Sequence, residues 1–159
     1  WTLEQILMVA DSPKEDVQSF ARSLISKLFS STHGKELMVH LSEHPSRSMM
    51  LFNSNYLNIY AKDNPDVIVQ LKQYFKNILY GINLGAASKA RDYAFLMQEL
   101  KKDEKVAQMT LAILSEILAT SAIGDKSNCI DLTLAIGELY PYLELPISVS
   151  PINKYSNAV

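Results

Sequence analysis

Residues 40 to 44 read His40, Leu41, Ser42, Glu43 and His44, the H-x-x-E-H order of an inverted zinc-peptidase motif. Two histidines four apart stack on one helix face and can share a zinc ion, and a glutamate beside the second can take a proton from metal-bound water. The neighbouring sequence opposes that chemistry. Pro45 follows at once, so the motif falls in the last turn of a short helix, where rigid ligand geometry is poorly held. No downstream segment offers an obvious third ligand. The sequence therefore predicts that His40 and His44 interact with helix-terminal carbonyls and that Glu43 is solvated. A zinc-dependent hydrolase is the alternative reading, and His33 nearby leaves room for an adventitious or regulatory metal.

Other reactive patterns fail on simpler grounds. The five glycines are scattered at Gly34, Gly81, Gly85, Gly124 and Gly137, so the sequence holds no loop that cradles a phosphate. No serine has the flanking glycines of a nucleophile elbow. Cys129 is the only cysteine and lies in an apolar run far from the histidines, which predicts an inert core thiol and a reducing compartment. No catalytic residue and no cofactor is assigned, and the protein is expected not to be an enzyme.

Lys101, Lys102 and Lys105, with Lys89 and Arg91 upstream, are the nearest approach to a basic patch, and Tyr93 is a candidate platform for base stacking. Glu99, Asp103 and Glu104 dilute it. A solvated helix junction laced with ion pairs is the expectation, and an RNA-associated helical domain is the further alternative. Near the end, Tyr140 and Tyr142 gather with Leu145 and Ile147, and Tyr155 follows. Large side chains with hydrogen-bonding tips can anchor a protein partner, so Tyr140, Tyr142, Leu145 and Ile147 are the candidate partner-binding residues.

Helix signals position all of these. Thr2 and Gln5 form a capping box with Trp1 and Ile6 as a hydrophobic staple, predicting a first helix to about Ala10. Ser12, Pro13 and Glu15 predict the next start, with Val17, Phe20, Ala21, Leu24, Ile25 and Leu28 inward and Gln18, Arg22 and Lys27 in water. Gly34 is expected to stop that helix, and a short one follows over 36–44. A fourth is predicted over 46–61 with Ile59 on its apolar stripe, and a fifth from Asn64 and Pro65 through Ile82 to a stop at Gly85. Ser88 and Asp103 are expected caps for the sixth and seventh. The seventh, reaching Ile123 before Gly124, is apolar on nearly every side and so should be central. The last spans about 126–140, with Ile130, Leu134, Ile136 and Leu139 as its apolar positions, until Pro141. From Leu145 through Ile147 to Val149 an extended tail is expected.

The chain is 159 residues with 48% hydrophobic and 20% charged residues, which places it among globular domains able to bury a core unaided. Fifteen basic against 17 acidic residues leave no excess charge for long-range attraction, so nucleic acid is not an expected partner. Apolar runs are too short for a bilayer and the first helix has no leader-like signature, which predicts a cytoplasmic protein without membrane contact. A chain opening on Trp1 is expected to be processed or truncated, with neighbours able to hold part of its function. The expected fold is all-α: one domain over 1–143, a compact bundle of about eight helices, and a tail over 144–159. The spacing of the starts at Ser46, Ser88 and Asp125 also resembles the ~40-residue period of HEAT or armadillo arrays, so stacked helix pairs are the alternative. The functional expectation is a helical protein–protein interaction module: an adaptor, a scaffold segment or a subunit of a larger complex, with a protein partner or self-association.

Overall fold

The computed structural model describes residues 1–28, 33–81, 86–120 and 126–147. Among them the chain is all-helical, with no strand, in a compact multi-helix arrangement. The elements are α1 (Leu3–Ala10), α2 (Glu15–Leu28), α3 (Gly34–Ser42), α4 (Arg47–Ser54), α5 (Tyr56–Tyr60), α6 (Pro65–Gln70), α7 (Lys72–Tyr80), α8 (Ala86–Glu99), α9 (Glu104–Leu118) and α10 (Lys126–Leu139). None is long and apolar enough to cross a membrane. The expectations placed on Ile82, Gly85, Ile123, Gly124, Asp125, Val149 and Tyr155 lie outside the described residues.

Local chemistry sets the starts of several helices. The Thr2 hydroxyl accepts from Gln5 N–H at 3.3 Å and the Gln5 side chain accepts from Thr2 N–H at 2.9 Å, closing the expected capping box of α1. Asn64 accepts from Val67 N–H at α6, with Pro65 at the first helical position, and Asp103 accepts from Lys105 N–H at α9.

Elsewhere tertiary contacts override the local reading. Gly34 does not stop α2; it opens α3 with no left-handed φ, and the Tyr60 ring lies where its Cβ would be. Ser88 sits buried inside α8, which already runs at Ala86. Glu15 does not cap α2; it pairs with Arg22 at 2.7 Å. The helix expected over 46–61 breaks at Asn55, whose N–H turns to Phe52 O while Arg91 draws on Leu51 O and the Asn55 side chain. The next one breaks at Leu71 between α6 and α7 and ends at Tyr80, before Gly81. With each of these near-continuous pairs counted once, the ten segments among the described residues become eight helices, against the expected number of about eight.

The main packing follows chain order. α1 and α2 pack together and against α3 and α4; α3 and α4 pack on α7 and α8; and those meet α9 and α10. α9 is the most enclosed, burying Val106, Ala107, Met109, Thr110, Leu111, Ile113, Leu114 and Ile117 against α6, α7, α8 and α10. Each large apolar side chain taken fully out of water contributes roughly 1.5–3 kcal/mol. The α5–α6 turn needs a non-glycine residue in the left-handed region, Asp63 at φ 59°. Buried Glu99 accepts its N–H at 3.0 Å, and Lys102 donates at 2.6 Å to both Glu99 and Asp63, holding the Asp63 carboxyl below its usual range.

Asp92 is fully buried and accepts from the Tyr74 hydroxyl at 3.0 Å, while its second oxygen finds no partner among the described residues. Burial pushes the Asp92 carboxyl well above the ordinary carboxylate range, against the pull of the Tyr74 bond. Burial and then the nearby Asp92 push Tyr74 up as well. A carboxyl whose pKa rises on folding holds its proton more tightly in the native state. Its contribution is therefore complete below the unfolded value of about 4 and is lost as pH climbs toward the raised native value.

Two outcomes follow from this packing. Gly34→Ala should lower stability by about 1–3 kcal/mol in urea unfolding, because the partly buried Tyr60 ring packs against the core and must move; an unchanged midpoint would show that the ring yields freely. Asp92→Asn keeps the acceptor for Tyr74 and removes the titration. Above about pH 4 it should gain steadily on the wild type as pH rises, whereas a constant difference would mean that Asp92 titrates normally.

Candidate functional site

The two histidines of the H-x-x-E-H pattern converge on the end of α1. The His44 side chain is 2% exposed, and its Nε2 lies 3.0 Å from Ala10 O while Nδ1 accepts from Ser46 N–H at 2.9 Å. A carbonyl only accepts, so the proton sits on Nε2 and both ring nitrogens are engaged. His40 Nε2 meets the two oxygens of Asp11 at 2.9 and 3.1 Å on a half-exposed surface. Glu43 is not merely solvated: it accepts from Asn77 of α7 at 3.0 Å. The motif thus braces α3 against α1 and α7, and ligation by His44 would require breaking a buried bond. Among the described residues no group of three or more His, Cys, Asp or Glu is placed to hold a metal ion.

Part of the cationic cluster is spent on helix junctions, while Lys101 is exposed. Lys102 bonds to Asp63 and Glu99, Lys105 bonds to Asp66 at 2.9 Å, and Lys89 is buried. Tyr93 is buried too, its hydroxyl 3.5 Å from Cys129 Sγ, so it presents no ring to a base; Cys129 itself lies in the core.

The C-terminal candidates divide. Tyr140 donates to Leu100 O at 3.0 Å, and Leu145 packs on Gly137 of α10, so both serve the chain's own packing. Tyr142 is exposed, although its hydroxyl reaches Glu104 at 2.8 Å and its ring stands edge-on to Tyr140. Ile147 is partly buried.

The larger departure from the sequence reading lies at the two ends of the stack. Phe20 does not face inward: it is 51% exposed and stands edge-on to Trp1, itself 63% exposed, with their ring centroids 6.1 Å apart. Met8 is 76% exposed, and an open groove of about 370 Å3 runs along α1 between Trp1, Gln5, Met8 and Val9. Gln18, expected in water, is buried, donating to Ser12 O at 2.8 Å. At the other end Ile130, Leu134 and Leu139 of α10 face outward with Tyr142, and in the middle Ile59 is exposed as well. Trp1, Met8 and Phe20 went unrecognised as a surface because spacing alone cannot tell an apolar face that meets the next helix from one that meets water.

Compared with protein-family models, curated proteins and solved structures, the chain matches none of them.

His44→Ala should cost about 1–3 kcal/mol in urea unfolding by orphaning the buried Ala10 carbonyl and the partly buried Ser46 N–H, whereas His40→Ala should cost under about 1 kcal/mol because its partner remains in water. Equal, small effects would show that the motif is not a brace.

Proposed function

We propose that the chain is a non-enzymatic helical interaction module that docks an amphipathic helix of a protein partner on the outer face of α1 and α2. The observation that carries this reading is the exposure of Trp1 and Met8 along one groove, with Phe20 exposed against Trp1. The inner face of the same helix pair is covered by α3 and α4, helix against helix. The outer face presents the same residue types at helical spacing with nothing on it among the described residues. Trp1, just before α1, and Gln5 and Met8 on it line one groove, and the Trp1–Phe20 contact carries the apolar surface onto α2. Contiguous exposed apolar surface is the usual mark of a docking site, and an apolar helical stripe fills such a groove by the same packing that fills the core.

Selection of displayed 20-residue peptides, a length of about five helical turns, on the immobilised domain tests this. It should enrich amphipathic sequences with apolar residues at i, i+3, i+4 and i+7. Their affinity should fall by about tenfold or more in Met8→Glu and Phe20→Glu, which alter exposed side chains and leave thermal unfolding little changed. Enriched peptides without that spacing, or binding untouched by both variants, overturn the reading. A concentration-dependent dimer abolished by the same variants would replace the partner helix by a second copy.

A further inference from the structure

A second cleft, remote from the α1–α2 face, lies between the α4–α5 junction and α8. It measures about 280 Å3 and is lined by the polar side chains Arg91, Asn55, Asn58 and Gln98 and by Leu57 and Phe95. None of its lining residues is acidic.

Arg91 is held differently from the cations that form ion pairs among the described residues. Arg22, Lys76, Lys102 and Lys105 each meet a carboxylate, at 2.7, 2.9, 2.6 and 2.9 Å. Arg91 instead donates through Nη1 to three neutral acceptors on the cleft wall: Leu51 O at 3.2 Å, Ser54 Oγ at 3.2 Å and Asn55 Oδ1 at 2.6 Å. Those bonds fix the guanidinium without neutralising it. Its Nε and Nη2 make no hydrogen bond among the described residues, and that edge is the one whose two parallel donors match the two oxygens of a carboxylate. The carboxamides of Asn58 and Gln98, each both donor and acceptor, also bond to no described residue. Leu57 and Phe95 are buried and supply apolar wall.

A single fixed cation, two free carboxamides and an apolar wall define a ligand. The charge suits a monoanion better than a phosphate dianion, and the fork suits a planar one. The carboxamides complement a neighbouring amide, and the apolar wall takes a hydrocarbon part. We infer that this cleft binds a small carboxylate with an amide beside the acid group, the chemistry shared by a free N-acyl amino acid and by the C-terminal residue of a peptide. Its volume lies at the small end of ligand sites, as such a fragment requires.

Titration of the 15N-labelled chain with hippurate tests the inference, since hippurate carries the carboxylate, the amide and an apolar ring. Saturable shifts should appear at the backbone amides of Ala94, Phe95 and Gln98 and at the side-chain amides of Asn58 and Gln98, with a Kd of about 1 mM or tighter. Neutral hippuramide should bind about tenfold more weakly or worse. Arg91→Lys keeps the charge and loses the fork, and should weaken hippurate by a similar factor. Because Arg91 also anchors the α4–α5 junction, Gln98→Ala and Asn58→Ala provide a separate check: each should weaken binding severalfold while thermal unfolding stays unchanged. Acetyl-Ala-Phe-Gly with a free carboxylate, set against its C-terminal amide, separates the sources. Tighter binding than hippurate assigns the cleft to a peptide end, and weaker binding assigns it to a free acid. Absence of saturable shifts in the cleft, equal binding of hippuramide, or stronger binding of phenyl phosphate overturns the inference.

Discussion

Short amphipathic helices cannot stand alone in water, because nucleating a helix is unfavourable and a single turn of bonds recovers little. Most helices here span only a few turns, so each persists by laying its apolar stripe on the next pair. That constraint orders the molecule: α1 and α2 lean on α3 and α4, those lean on α7 and α8, and α9 is enclosed because helices cover it from several sides. Among the described residues the same rule leaves apolar side chains without a helix to meet on the outer faces of α1–α2 and of α10, and at Ile59 between them.

Polar side chains supply what apolar packing lacks, a definite angle between successive pairs. Carbonyls near helix ends have no partner within their own helix, and neighbouring elements provide one. His44 reaches Ala10 O, Arg91 reaches Leu51 O, and Tyr140 reaches Leu100 O, while Asn53 reaches Met38 O within α3 at 2.8 Å. Each is a bond between residues distant in sequence that forms only in one relative placement of two helices. Burial makes such bonds worth keeping, since an unmatched buried group costs about 1–3 kcal/mol. Gln18, Asn53, Asp92 and Thr110 are the exceptions, each burying a side-chain oxygen without a partner among the described residues.

This division bears on function. The residues with the most reactive appearance in the sequence, the two histidines of the H-x-x-E-H pattern, are committed to the brace between α3 and α1. The cations Lys102 and Lys105 are committed to ion pairs. Among the described residues, surface that stays uncommitted includes the apolar face of Trp1, Met8 and Phe20 and the edge of Arg91 beside Asn58 and Gln98. Both suit recognition better than bond-making, which is why an interaction role is the better-supported proposal.

Helix identity and several starts were legible from the residues alone, because the bonds that set them span only two or three positions: Thr2 with Gln5, Asn64 with Val67, Asp103 with Lys105. The central place of α9 was legible too, since a helix apolar on nearly every side has to be surrounded. Spacing could not tell that Phe20, Ile59, Ile130 and Leu134 stay in water while Gln18 does not, nor that Gly34 begins a helix beneath the Tyr60 ring. Nor could it find the partners of His44 and Arg91, which lie 34 and 36 to 40 residues away. Periodicity records which side of a helix is apolar, whereas the order and angle of packing in three dimensions decide which apolar sides are covered and which polar groups are brought within a bond's length.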